Sequence, residues 1–201
     1  MADFTLFFNP MSRALIAKWA LEEAGADYDL FPVEWDNKPA ELFAANPLGK
    51  VPALVHHSAG GDLSVSEGAA ICHYLAETAA PALLPKGAEK ADYFRMMFFA
   101  AGPLEAAATN KALGWVAEDK KREVSLGYGS LERAMAMLEG WFAERDYVCG
   151  NRFTMADVFV GSQVDFGLRF GTMPTSANLE AYAARLRERP AYAVSMGQMP
   201  A

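Results

Sequence analysis

Along the first eighty residues the spacing of apolar positions changes several times, and each change marks an element. Phe4-Thr5-Leu6-Phe7-Phe8 is a short apolar run stopped by Asn9-Pro10, which predicts a buried strand. From Ala14 to Ala24, Leu15, Ile16, Trp19 and Ala20 recur at helical spacing, with Lys18, Glu22 and Glu23 on the other face. Gly25 is a helix stop, and Ser12 is placed to accept from the unpaired N–H groups at the helix start. Tyr28–Pro32 reads as a second strand and Pro39–Ala45 as a short helix. Ala53–Val55 and Leu63–Val65 read as a hairpin with a longer loop around Gly60-Gly61. Gly68–Thr78 is again helical, with Ala70, Ile71, Tyr74 and Leu75 facing inward. These elements make a small α/β domain over residues 1–78.

The remainder has a different character. Pro81, Pro85 and Gly87 mark a linker over 79–88, and no convincing strand follows it in 89–201. Glu89–Leu104 reads as a helix that Pro103 should end or kink. Arg122–Ala143 reads as one long helix, with Leu126, Leu131, Met135, Leu138 and Phe142 at roughly helical intervals. The methionine-rich stripes read as core. A further helix start is well signposted. Thr154 fits the N-cap and Asp157 the third helical position of a capping box, with Phe153 and Val158 as a hydrophobic staple. Asp157 is therefore read as a folding residue and not a catalytic one.

Between the second helix and the third strand lies Asn46-Pro47-Leu48-Gly49-Lys50-Val51-Pro52. Each proline fixes φ, removes a backbone donor and holds its predecessor extended. An X-Pro bond before a strand is a plausible cis peptide. That geometry would leave the Val51 N–H and C=O free for an extended peptide ligand. Taken alone, the run fits a plain tight loop equally well.

Composition narrows the function classes. The 201 residues carry a net charge of −7, which argues against nucleic acid or an anionic membrane as the main partner. The one basic run, Lys120-Lys121-Arg122, reads as a solvated face. No signal peptide and no apolar stretch of membrane-spanning length is seen, which points to a cytoplasmic protein. Cys72 and Cys149 form no Cys-x-x-Cys pair, so a dithiol mechanism is excluded, and two Cys with three His show no metal-ligand spacing. Cys72 reads as a buried small residue, and His56 and His57 as surface residues.

Several segments in order and spacing carry a family likeness: Leu21-Glu22-Glu23-Ala24-Gly25, the loop Asn46 to Pro52 with Ala53-Leu54, Ser66-Glu67-Gly68-Ala69-Ala70-Ile71 with Tyr74-Leu75, Phe153-Thr154-Met155-Ala156-Asp157, and Arg189-Pro190-Ala191-Tyr192. Over nearly its whole length the chain resembles the cytosolic glutathione S-transferases, bacterial branch. The resemblance implies an α/β thioredoxin-like N-terminal domain followed by an all-α C-terminal domain. It also implies a homodimer, a detoxification role, and glutathione as co-substrate with no other cofactor.

Under that likeness, Val51 beside Pro52 holds the cysteinyl unit of glutathione by strand-like pairing. The helix start at Glu67-Gly68 takes the γ-glutamyl carboxylate, with Glu67 on its ammonium. Lys38 and Lys50 are the cations for the glycyl carboxylate. Trp35 could line the same rim, but packing is the favoured expectation. The family carries Ser or Thr where this chain has Gly68, which removes one hydroxyl donor. The thiolate-stabilising donor follows the first strand. Phe7 and Phe8 exclude a tyrosine there, and Arg13 stands where bacterial beta-type members carry cysteine. Ser12 is the first choice, with Arg13 and Asn9 as further candidates. A small hydrophobic electrophile would meet Phe98, Phe99, Leu104 or Trp115 between the domains. The expected activity is glutathione S-transfer. The alternatives are glutathione-dependent disulfide or peroxide reduction, and a non-catalytic interaction module.

Overall fold

The computed structural model describes residues 2–198. Two compact units result. One holds the described residues up to Leu84 together with those from Arg187 onward, and the other spans Pro85–Leu186.

The first unit is built on a four-stranded mixed sheet of order β2-β1-β3-β4. Its strands are β1 (Phe4–Phe8), β2 (Tyr28–Pro32), β3 (Ala53–Ser58) and β4 (Gly61–Ser66). β1 runs parallel to β2 and antiparallel to β3, and β3 runs antiparallel to β4. The parallel β1–β2 connection requires a crossover, and α1 (Ala14–Ala24) supplies it. α1 ends at Gly25 with φ 60°, as its glycine requires. Leu6 and Leu54 are fully buried, as are Trp19 and Ile16 of α1 and Ile71 and Leu75 of α3 (Gly68–Thr78). A second cluster joins Phe7, Val33, Ala53 and Leu42, the last from α2 (Ala40–Ala45).

The hairpin is tighter than the sequence reading expected. Ser58 pairs with Gly61, so only Ala59 and Gly60 form the loop, and both strands are longer. Nor are His56 and His57 plain surface residues. His56 stacks on Phe4 and bonds Tyr74, and the His57 ring is held between Thr5 and Asp62.

The closing helix α10 (Pro190–Ser195) packs on α1. Arg189 donates to both Glu23 carboxylate oxygens (2.6 and 2.7 Å), and the buried Lys18 ammonium donates to the Val194 carbonyl (2.9 Å).

The second unit is helical: α4 (Glu89–Phe99), α5 (Glu105–Ala112), α6 (Lys120–Ser125), α7 (Leu131–Phe142), α8 (Met155–Arg169) and α9 (Ala177–Arg187), whose last residue falls at the division. Pro103 does not end the first of these. The chain passes through a π-helical turn over Ala100–Leu104 and continues as α5, the wider turn accommodating a residue with no N–H. The single helix expected over Arg122–Ala143 is two. Gly129 takes φ +67°, Ser130 is extended, and its hydroxyl accepts the Arg133 N–H, which starts α7 afresh.

The capping box at Thr154 and Asp157 is present. The Asp157 carboxylate is fully buried and accepts from the N–H groups of Thr154 (2.8 Å) and Val148 (2.7 Å) and from the Tyr182 hydroxyl (3.0 Å). Burial nevertheless pushes its carboxyl up to about 6. Glu89 and Arg152 pair nearby and tie the start of α4 to the loop before α8.

Candidate functional site

The strand register gathers three segments at one end of the sheet. Phe7 lies opposite Ala53, and Ala53 opposite Ser66. The exit of β1, the loop entering β3 and the start of α3 therefore meet there.

The loop entering β3 is built around Asn46. Its backbone N–H caps α2 on the Leu42 carbonyl, and its own carbonyl accepts the Gly49 N–H (2.8 Å). Asn, Pro and Gly then occupy the first, second and fourth places of a β-turn, where each is favoured. The Asn46 side chain closes the next residues too, accepting the Leu48 N–H (3.1 Å) and donating to the Lys50 carbonyl (3.0 Å). Gly49 needs φ +59° and lies under Phe43, whose ring would come within 2.5 Å of an added Cβ. The sequence reading took Asn46 only as the extended residue before a proline. The signal for its clasp was the Asn-Pro-x-Gly pattern itself.

The Val51–Pro52 peptide is cis. Among the described residues, neither the N–H nor the C=O of Val51 enters a hydrogen bond within the protein, and β3 pairing begins at Ala53. A backbone edge is thus available to an extended ligand. Beside it α3 begins at Gly68. Glu67 precedes it with φ 71°, the one non-glycine residue with positive φ among those described. Such a conformation costs on the order of 1–3 kcal/mol and is typical of ligand clamps. The Glu67 side chain makes no capping bond and is exposed, so it is free to meet a ligand cation while the first N–H groups of α3 meet an anion.

At the β1 exit, the Asn9 amide group donates to the Val33 carbonyl (2.7 Å) and its Oδ1 accepts the Met11 N–H (2.8 Å). Asn9 thereby shapes the loop that presents Ser12. The Ser12 hydroxyl donates to the Asn9 carbonyl (2.7 Å) and accepts the Ala14 N–H (3.1 Å) at the start of α1. Arg13 follows, exposed. The Lys38 ammonium donates to the Gly49 carbonyl (2.9 Å), which leaves two of its protons for a ligand at this rim, and Lys50 is exposed beside it. Trp35 does not pack as expected: it is 49% exposed.

The apolar residues proposed from the sequence differ widely in exposure. Phe98 is exposed at the end of α4, Phe99 is half-buried, and Leu104 is fully buried in the π turn. Trp115 lines a cavity of about 150 Å³ with Val116, Leu126, Tyr128 and Leu131, and Phe98, Phe99 and Leu104 are not among its walls.

Neither cysteine is poised as a nucleophile. Burial pushes the Cys72 thiol well up and the Cys149 thiol up to about 11, so both are protonated at neutral pH. Among the described residues no three His, Cys, Asp or Glu side chains converge as metal ligands, and no helix is long and apolar enough to cross a membrane.

Comparison with known proteins agrees with this architecture. Residues 2–77 match the model of the glutathione S-transferase N-terminal domain, and residues 91–190 that of the C-terminal domain. Glutathione S-transferase 1 of Zea mays is 29% identical, over 94% of this chain and 94% of its own. Glutathione S-transferase 1 of Schizosaccharomyces pombe is 30% identical, over 79% of this chain and 73% of its own. The solved structure of the theta class glutathione S-transferase from Xanthomonas axonopodis pv. citri, with glutathione bound, superposes with a TM-score of 0.75. It is 30% identical and covers 100% of this chain and 99% of its own.

Proposed function

The chain belongs to the glutathione S-transferase family, and on that premise we propose that it conjugates the thiol of glutathione to a small hydrophobic electrophile. The observation that carries this reading is the juxtaposition of the unpaired Val51 backbone with the start of α3 at Glu67-Gly68. A peptide backbone and a terminal α-amino acid are what those two features complement. Val51 pairs with the cysteinyl unit, the N–H groups of Gly68 and Ala69 hold the γ-glutamyl carboxylate, and Glu67 holds its ammonium. Lys38 and Lys50 face the glycyl carboxylate.

The chemical step needs a thiolate. A thiol near 8.5 is brought to ~6.5 by ~2.7 kcal/mol of preferential thiolate stabilisation. A hydrogen bond to a charged group supplies ~1.5–3 kcal/mol and a helix start ~0.3–1. Ser12 supplies the first by turning its proton from the Asn9 carbonyl to the sulfur, exchanging a neutral acceptor for a charged one. The start of α1 supplies the second. The thiol proton leaves to water, the thiolate attacks the electrophilic carbon, and the displaced group or carbanion is released or protonated. No protein base is required. Arg13 is the second candidate for this role, as a cation beside the sulfur.

We further assign the protein to the cytoplasm and to a homodimer, on the family resemblance. Calorimetric titration with glutathione tests the binding half of the proposal, and a panel of aromatic electrophiles tests the transfer. Micromolar to low-millimolar binding with turnover is expected. No heat at ~10 mM glutathione would overturn the reading in favour of an interaction module.

A further inference from the structure

On the sheet of the first unit, away from the Val51 loop, three side chains form a hydroxyl–imidazole–carboxylate chain. The Thr5 hydroxyl lies 2.9 Å from His57 Nε2, and His57 Nδ1 lies 2.8 Å from Asp62 Oδ1. The residues come from three different strands. Asp62 sits directly opposite His57 in the β3–β4 ladder, and Thr5 sits opposite Val55, two residues before His57 on the same face. The His57 backbone N–H is pinned on the Asp3 carbonyl (2.8 Å), so the ring is held in place from both backbone and side chain.

The partners decide the tautomer of neutral His57. An ionised carboxylate only accepts, so the Nδ1 facing Asp62 carries the proton. Nε2 is then a lone-pair acceptor, and the Thr5 O–H must donate to it. Nucleophile to base and base to orienting acid is the arrangement that activates a hydroxyl. His57 stands four residues beyond Ala53 along β3, about 13 Å from the end of the sheet that holds the glutathione loop, so this chain plays no part in the proposed transfer.

We propose that Thr5, His57 and Asp62 form an acyl-accepting site that takes activated, uncharged esters. In the step, Thr5 Oγ1 forms a bond to the ester carbonyl carbon while His57 Nε2 takes the hydroxyl proton. The tetrahedral adduct then expels the aryloxide, which leaves with that proton as the phenol and leaves Thr5 as the ester. Water, deprotonated by His57, attacks the Thr5 ester in turn, releasing the carboxylic acid and restoring the hydroxyl. Asp29, opposite Thr5 on β2, and Asp62 make the face anionic, which disfavours anionic esters. The three side chains supply a nucleophile, a base and an orienting acid but no donor to an oxyanion, so the site demands a good leaving group.

The test is incubation of the full chain with 4-nitrophenyl acetate, followed by peptide mass spectrometry. Acetyl is expected on Thr5. His57→Gln should lower the rate of Thr5 acetylation about 100-fold or more, the scale of a lost general base. Asp62→Asn should lower it less and move its pH profile, and Thr5→Ser should retain it. Far-ultraviolet circular dichroism and a cooperative urea transition of each variant report that it is folded. Absence of acetyl at Thr5 in the wild type, or an equal rate in the folded His57→Gln variant, would overturn the proposal.

Discussion

The side-chain amide of Asn46 donates to the carbonyl of Lys50, one residue before the Val51 backbone that faces the proposed tripeptide. Asn46 is 4% exposed and also holds the Leu48 N–H, so a single buried amide sets the path of the whole loop. Under the proposed function, the affinity of the site is expected to depend on a residue that need not touch the ligand.

Asn46→Ala removes both bonds and leaves the Leu48 N–H and Lys50 carbonyl to find other partners. A loss of about 1–3 kcal/mol of stability is expected in urea unfolding. Glutathione affinity should fall about tenfold by calorimetry, because the Val51 edge is no longer held in place. An unchanged affinity would show that the loop is set by its prolines alone.

Ser12→Ala tests the thiolate assignment. Loss of a charged hydrogen bond of ~1.5–3 kcal/mol should raise the pKa of bound glutathione by about 1–2 units. Ultraviolet absorbance of the thiolate measures this directly, and kcat/KM at neutral pH should fall about 10- to 100-fold. Arg13→Gln is the companion variant. If it moves the titration and Ser12→Ala does not, the cation is the stabilising group.

Gly68→Ser restores a hydroxyl beside the first N–H groups of α3. One added hydrogen bond of about 1 kcal/mol tightens glutathione binding about fivefold, as calorimetry would read. The same substitution should leave the thiol pKa unmoved, since it acts on the γ-glutamyl end.

Asp157 makes stability pH-dependent. Its carboxyl titrates near 3.8 when unfolded and about 6 when buried, so the folded state favours the proton. Its contribution is full below pH ~4 and is lost as pH rises through about 6, a change of roughly 3 kcal/mol. Urea unfolding across pH 4–7 measures it, and Asp157→Asn should flatten that part of the curve. Asp157→Ala leaves the Val148 and Thr154 N–H groups and the Tyr182 hydroxyl unpaired, and should cost about 3–5 kcal/mol.

Much of the fold was legible locally. β1, α1, β2 and α3 lie where period and punctuation put them, because apolar spacing, Gly25 and the Asn9-Pro10 stop act within a few residues. The capping box at Thr154 was legible for the same reason. The break between α6 and α7 was not, because Leu131, Met135, Leu138 and Phe142 keep a roughly helical spacing that masks it, while an extended Leu126 ends α6 and the Ser130 cap starts α7. At the site, the sequence marked Val51, Glu67 and Ser12 through loop chemistry and resemblance. It did not mark the hold of Asn46 on the loop or the bond from Lys38 to Gly49, which depend on where the turn folds back.

By itself, then, the chain's sequence determined where most of the strands and helices lie, that the chain is α/β up to Thr78 and helical after it, and which family it joins. Those properties are set by short-range spacing and by residue types at fixed separations. The tertiary structure alone decided which distant residues meet: Ala53 opposite Ser66, Thr5 beside His57, Arg189 on Glu23. Register and long-range pairing depend on the burial of whole faces and on chain closure over many residues, and no local period encodes them.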